Sequence, residues 1–434
     1  MEQLKNKYLV TLYVLIGVII YFFNIIVINK RFGIKELMLG VVIFTVYYIA
    51  DIFDIDDTRY KMKSLLVSAV VNLIMGIIVG MNIGFLECFT IFSAQFIYQN
   101  IVKLLLCDVL IKQKNILILG YNYKTEIVLK MADKTKNYKI VGILTVDGVK
   151  KEGCNVIGDY AKIEEAVKEY KVDKIVVAIE GAVEGAIEQQ LLKKMLLIKL
   201  GGLRIYSFLD FYEKMEERVP VQTINEQWFL FGRGFDIIHN GFNIKIKRIT
   251  DVLLALTIFA ITLPVMILAA VIIKLESRGP ILFIQERIGK GNTVFEIMKF
   301  RSMKIHDEAS FSKYADKKDV RITRFGNFMR KTRIDELPQL INVIKGEMSF
   351  VGPRPEWNKL CYEYMEKIPF YNLRHAVQPG LTGWAQVNYP YGASVEDAVE
   401  KLQFDLYYIK HYSLMLDLII FFKTIKTVVF GRGR

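Results

Sequence analysis

The sequence predicts an α-helical membrane bundle, then a degenerate Rossmann-like α/β module, then an α+β C-terminal domain with a re-entrant membrane helix. Three observations carry this. Four long apolar runs fill the first hundred residues, short β-branched runs then alternate with charged helix-favouring stretches, and a proline-broken apolar helix introduces a polar C-terminal region. The expected boundaries are 1–110, 111–240 and 241–434, with the re-entrant helix at 249–273.

The bundle rests on Tyr8 to Ile28, Leu37 to Phe53, Leu65 to Leu86 and Cys88 to Cys107, each near the ~20 residues that a helix needs to cross a bilayer core. No small-residue cleavage site follows the first run and three more come after it, so an anchor is expected rather than a removable signal. An apolar share of 53% in 434 residues agrees with a membrane protein.

The second part places strands at Ile116 to Leu119, Ile140 to Val146, Ile175 to Ile179 and Leu203 to Phe208, with helices at Glu164 to Tyr170 and Ala186 to Leu200. That alternation predicts a parallel sheet. After the first strand, GYNYKTE (Gly120 to Glu126) stands where a dinucleotide site needs GxGxxG; only Gly120 is present, and Thr125 fills a position that should be small. A regulatory or structural module is expected.

The third part opens with KRITD (Lys247 to Asp251) and the apolar stretch Ile249 to Ile273, broken at Pro264, whose ring removes a backbone donor. Lys245, Lys247 and Arg248 precede the stretch and Lys274 and Arg278 follow it; basic flanks mark the cytoplasmic side, so both ends on one side imply a re-entrant helix. A kinked fifth span is the other reading. It would put everything beyond Lys274 outside.

Functional residue types then cluster in three places. In QERIGKGNTVFEIMKFRSM (Gln285 to Met303), Lys299 and Arg301 alternate on a strand and so share a face. In MRKTRIDELPQLINVIKGEMSFVGPRPE (Met329 to Glu356), Arg330, Lys331, Arg333 and Arg354 bracket the acidic pair Asp335 and Glu336. The third cluster is the turn-rich QPGLTGWAQVNYPYG (Gln378 to Gly392). Asp335 could be only a helix cap, with Pro338 in the first turn and Gly346 as the stop. The arginines call for more: guanidinium forks suit phosphate, and paired carboxylates suit a magnesium ion or a nucleophile acting on phosphorus. The scattered cysteines and histidines, four of each, show no CxxC or HExxH spacing, which leaves hard carboxylate ligands and magnesium as the expected metal. A formal charge of +13 fits phospholipid headgroups or a nucleotide; the aromatics sit inside apolar runs, so no nucleic acid is expected.

KFRSM, DELPQLINVIKGEMSFVGPRPE and QPGLTGWAQV, preceded by KRITD and the broken helix, resemble the catalytic domain of the bacterial monotopic phosphoglycosyl transferases from about Ile244 to Arg434. The three-part layout resembles the subgroup typified by undecaprenyl-phosphate glucose and galactose phosphotransferases. The resemblance implies transfer of a sugar 1-phosphate from a UDP-sugar to undecaprenyl phosphate, giving undecaprenyl-diphosphate-sugar and UMP, the first membrane step of exopolysaccharide, capsule or O-antigen synthesis. It makes Asp335 the nucleophile that forms a covalent phospho-sugar intermediate. Glu336, with Asp335, would hold the metal; Arg330 and Arg354 would contact phosphate, and Lys299 and Arg301 would line the same pocket. It also implies a multi-pass protein of the bacterial cytoplasmic membrane, in contact with membrane lipid, with its catalytic domain facing the cytoplasm; a homodimer is left open.

Two departures stand out. Leu263, where many relatives have serine, precedes Pro264, leaving Thr262 as the nearby hydroxyl, and YPYGASVED (Tyr389 to Asp397) replaces an Arg-containing segment. The competing enzyme class is a membrane-anchored NAD-dependent sugar-nucleotide dehydratase or epimerase, for which a YxxxK spacing occurs at Tyr170 and Lys174. A scaffold whose acidic pair is a cap is the non-catalytic reading.

Overall fold

The computed structural model describes residues 113–135, 138–148, 154–179, 189–232, 234–239, 241–304, 321–390, 392 and 394–429, with isolated helical positions at 93, 96, 97 and 101. The apolar runs expected to span a membrane before residue 110 otherwise lie outside the described residues. The chain divides into two compact units, Met1–Phe208 and Leu209–Arg434.

The first unit holds a five-stranded, all-parallel sheet in the order β3-β2-β1-β4-β5. Its strands are β1 (Lys114–Leu119), β2 (Tyr138–Thr145), β3 (Val156–Asp159), β4 (Lys174–Val177) and β5 (Arg204–Ser207). Helices α1 (Tyr123–Lys134), α2 (Ile163–Glu169) and α3 (Gln189–Leu200) connect them. Ile116 to Leu119 are fully buried, as an apolar run covered on both faces should be. The β1–α1 turn closes on itself: the Asn122 side chain accepts from the Lys124 and Thr125 N–H groups and donates to the Ala178 carbonyl at 2.6 Å. Tyr170 lies at the end of α2, whereas Lys174 is buried in β4 and donates to Tyr138 Oη at 3.3 Å.

The second unit begins earlier than the 240/241 boundary expected from sequence. Helix α4 (Phe208–Glu216) and the segment after it are tied to helix α8 (Val395–Lys410) and the 384–388 helix: Tyr212 Oη donates to Gln403, Val219 N–H to the Gln403 carbonyl, and Trp384 Nε1 to the Glu217 carbonyl. One core joins Val219, Val221 and Phe235 to Leu340, Phe350, Leu402, Leu406 and Ile420.

Helix α5 (Gly241–Glu276) is the one helix among the described residues long and apolar enough to cross a membrane. It contains Pro264 and exposes Ile261, Ile267, Leu268 and Val271. Both halves nevertheless touch the same unit. Ala255 belongs to the main core, while Met266, Ala269 and Ile273 pack with Phe300 and Met329. Thr262 Oγ1 donates to the Ile258 carbonyl at 2.7 Å, so its hydroxyl is engaged two residues before the Ala260 carbonyl freed by the proline. After α5 come the antiparallel pair β6 (Leu282–Ile288) and β7 (Val294–Phe300), helix α6 (Arg324–Thr332), helix α7 (Gln339–Lys345), the parallel pair β8 (Ser349–Val351) and β9 (Gly380–Thr382), α8, and α9 (Leu414–Val429).

Candidate active site

Arg333 adopts a left-handed backbone, φ +58°, uncommon for a residue with a Cβ. It ends α6 and opens a one-turn 3-10 helix, Ile334–Glu336, that carries the acidic pair. Pro338, which has no N–H to satisfy, starts α7, and Gly346 at φ +92° stops it. The capping reading of Asp335 is therefore corrected. The left-handed turn at Arg333 places Asp335 inside the 3-10 turn, Pro338 is the N-cap of α7, and no side-chain cap bond is made. Asp335 and Glu336 are each only 9% exposed, and Asp335 Oδ1 is buried with no hydrogen-bond partner.

Asn342, fully buried in α7, fixes this turn against β7. Its side chain accepts from the Met298 N–H at 3.1 Å and donates to the Glu296 carbonyl at 2.7 Å. The next residue along the strand is Lys299, whose Nζ lies 3.5 Å from Glu336 Oε1. Arg354 reaches the same oxygen at 2.8 Å and Arg333 at 3.3 Å. Arg354 stands on the Gly352-Pro353-Arg354-Pro355 turn at the end of β8, where the Gly352 N–H donates to the Thr382 carbonyl of β9 at 2.8 Å. A Cβ on Gly352 would collide with the Gln378 carbonyl oxygen, so the two turns meet at this distance only with glycine here.

Arg330 Nε donates to Ser302 Oγ at 2.8 Å, and its charge acts on Asp335. Arg301 does not join the cluster. Strand β7 stops at Phe300, and the Arg301 guanidinium donates to the Ser277 carbonyl at 2.7 Å, to Ser277 Oγ at 2.9 Å and to the Arg278 carbonyl at 2.9 Å, just past the end of α5. Period-two alternation carried beyond the strand had put it on the face of Lys299, and the resemblance had put both in the pocket. Arg333 was visible beside the pair in sequence, but its direct contact depends on the left-handed turn, which no glycine announces.

Electrostatics separate the two acids. Burial, reinforced by the Glu336 charge, raises the Asp335 carboxyl to about 6. Burial also pushes Glu336 upward, but Arg354, Lys299 and Arg333 together outweigh it and hold that carboxyl well below the usual range. Burial lowers Lys299 to about 8 against the opposing pull of Glu336. Adjacent carboxylates thus acquire different tasks: Glu336 is a fixed anion surrounded by cations, while Asp335 has an ionised form poorly stabilised by the protein and an oxygen without a partner.

Among the described residues, no group of three or more His, Cys, Asp or Glu is placed to hold a metal ion. Magnesium at phosphate sites needs only one or two protein carboxylates, the substrate and water supplying the rest. The partnerless Asp335 oxygen fits that donor set; Glu336 would contribute in competition with its three cations.

Residues 242–431 match the family described as bacterial sugar transferase. Over 234 residues, 54% of each chain, the protein is 42% identical to a UDP-N-acetylgalactosamine-undecaprenyl-phosphate N-acetylgalactosaminephosphotransferase of Aeromonas hydrophila, and so spans about half the length of that relative. A UDP-glucose:undecaprenyl-phosphate glucose-1-phosphate transferase of Caulobacter vibrioides is 42% identical over 185 residues, 42% of this chain and 69% of the relative. An exopolysaccharide production protein of Rhizobium leguminosarum is 38% identical over 196 residues, 42% of this chain and 94% of that protein. The chain belongs to the bacterial sugar transferase family of phosphoglycosyl transferases.

Proposed function

We propose that the protein transfers a sugar 1-phosphate from a UDP-sugar to undecaprenyl phosphate, with release of UMP, in the first membrane step of exopolysaccharide, capsule or O-antigen synthesis. The observation that carries this is the buried Asp335, one oxygen unbonded, beside a Glu336 held by Arg354, Arg333 and Lys299. The names of the relatives, which are undecaprenyl-phosphate sugar phosphotransferases, support the substrates.

In this reading an Asp335 oxygen bonds to the β-phosphorus as the bond to the bridging oxygen breaks, and UMP leaves with those electrons. The undecaprenyl phosphate oxygen then attacks the same phosphorus and returns Asp335 as a carboxylate. Attack of an anion on a diphosphate requires charge neutralisation. Arg330 and Arg354 supply part of it, and Lys299 holds a proton at Nζ below pH about 8. Magnesium, held by Asp335 and Glu336, would supply further neutralising charge when bound.

The reading extends to the membrane. Residues on both sides of Pro264 pack on one body, which supports a re-entrant α5. A re-entrant α5 keeps the site on the cytoplasmic face, at the height of the acceptor's phosphate, and the N-terminal apolar runs make the protein multi-pass. The strand order of the first unit supports a Rossmann-like fold. Its nucleotide-binding turn, however, is occupied by Asn122, which favours a structural or regulatory module over the dehydratase reading.

The test is UMP release from UDP-glucose, UDP-galactose and their N-acetylated forms, with undecaprenyl phosphate and magnesium in detergent or nanodiscs. Activity on at least one sugar, abolished in Asp335→Asn, is expected. Near-normal turnover by that variant would refute the nucleophile assignment.

A further inference from the structure

The turn that carries Arg354 contains two prolines, so Pro353 and Pro355 cannot donate hydrogen bonds, and besides the Gly352 N–H bond to Thr382 its carbonyl groups fix its position. Four consecutive carbonyls are held in this way. The Gly380 N–H donates to the Pro353 carbonyl at 2.8 Å, Arg374 Nη2 to Arg354 at 2.9 Å, Arg287 Nη1 to Pro355 at 3.2 Å and the Ile288 N–H to Glu356 at 3.4 Å. The two outer bonds come from backbone. The two inner ones, flanking the Arg354 side chain, come from guanidinium groups.

Arg374 is the better fixed of these. It is only 4% exposed, donates through Nε to Asp405 Oδ2 at 3.0 Å with Nη2 in ion-pair contact with the same oxygen at 2.8 Å, and donates through Nη1 to Tyr371 Oη at 2.7 Å. Asp405 is 1% exposed and stands in the middle of α8, a rigid sixteen-residue helix. A buried ion pair is rarely retained for stability alone, because desolvating both charges offsets much of their attraction. This one ends on the backbone of the residue whose guanidinium meets Glu336.

We propose that Arg374, held by Asp405 and Tyr371, is a positioning residue that sets the place of Arg354 in the active site; this deepens the proposed transferase reading. Arg374 reaches no reacting atom in this arrangement. It transmits the rigidity of α8 to the Arg354 backbone, and hence to the Arg354–Glu336 contact.

The test is a set of double-mutant cycles. Arg374→Gln is expected to lower kcat/KM for the UDP-sugar by about 10²-fold, the scale of a misplacement near 1 Å, and to add little in an Arg354→Ala background. Tyr371→Phe removes one oxygen and keeps the packing; a smaller loss, again absent in Arg354→Ala, is expected even if Arg374→Gln fails to fold. Equal losses in both backgrounds would overturn the proposal. A second cycle needs no substrate: coupling between Arg354→Ala and Glu336→Gln in thermal unfolding should shrink when Tyr371 or Arg374 is replaced. Unchanged coupling overturns the positioning role whether or not UMP is released, whereas absent turnover by the parent protein with the coupling shift intact would refute only the transferase reading.

Discussion

Asp335→Asn should stabilise the protein while abolishing transfer. The side chain keeps its shape and loses the charge that the site tolerates poorly. Raising the carboxyl from 3.8 to about 6 means that the folded state disfavours the ionised form by ~3 kcal/mol at neutral pH. The sign follows from linkage. The folded protein binds this proton more tightly than the unfolded chain does, so the cost is fully present above pH about 6 and disappears as pH falls towards 3.8. With ~2–4 °C per kcal/mol for a unit of this size, the variant should melt several degrees above the parent at pH 7.5. The gain should fade by pH 4.5. Thermal unfolding in detergent at the two pH values, beside UMP release, makes the comparison. A variant no more stable than the parent at pH 7.5, or equally stabilised at both pH values, would refute the argument that the site stores strain in the Asp335 charge.

Three further outcomes follow from the same geometry. UMP release should rise with pH through about 6, as Asp335 ionises, and fall through about 8, as Lys299 loses its proton; in Glu336→Gln the alkaline limb should move to lower pH, because the anion that supports the Lys299 charge is gone, and a rate profile with an unmoved limb would contradict this. Gly352→Ala should cost about 1–3 kcal/mol of stability by overpacking against the Gln378 carbonyl and should lower activity by displacing Arg354, which thermal unfolding and UMP release would measure together. Arg301→Ala should lower the melting temperature while leaving KM for the UDP-sugar within about twofold, since this side chain binds the end of α5 rather than Glu336; a large KM increase would restore it to the substrate pocket.

Some of this was legible in the sequence because it is local. The β-branched runs of the parallel sheet, the Gly346 stop and the acidic pair all depend on neighbours a few residues away. Strand β3 was missed because Val156–Asp159 is four residues long, with only two β-branched positions. Residues 209–239 were assigned to the wrong side of a boundary because their attachments, Tyr212 to Gln403 and Glu217 to Trp384, span more than 160 positions. Arg301 was placed on the face of Lys299 through one extra residue of assumed strand. Arg374 lies outside all three motif clusters, and nothing in its own surroundings shows that it will meet the Arg354 carbonyl.

The buried charges at the base of α5 extend the same logic to the membrane. Asp251 accepts from Ser349 Oγ at 2.6 Å and from the Phe350 N–H at 3.1 Å. Lys247, one turn earlier, pairs with Asp417 of α9 at 2.8 Å, and Tyr408 Oη of α8 donates to the other Asp417 oxygen at 2.8 Å. Apolar residues could fill this volume at lower desolvation cost, but they would let the helix rotate or slide against its neighbours. Carboxylate contacts fix both its register and its rotation. Those of Asp251 fall on β8, the strand that ends at Val351, just before Gly352 and the turn to Arg354. If α5 is the membrane-embedded element proposed above, its depth in the bilayer determines the height of β8, then of Arg354, and through the 2.8 Å contact with Glu336 the height of the acidic pair. The same polar attachments that orient the helix would therefore keep Asp335, the proposed nucleophile, level with a phosphate whose polyprenyl chain stays in the bilayer.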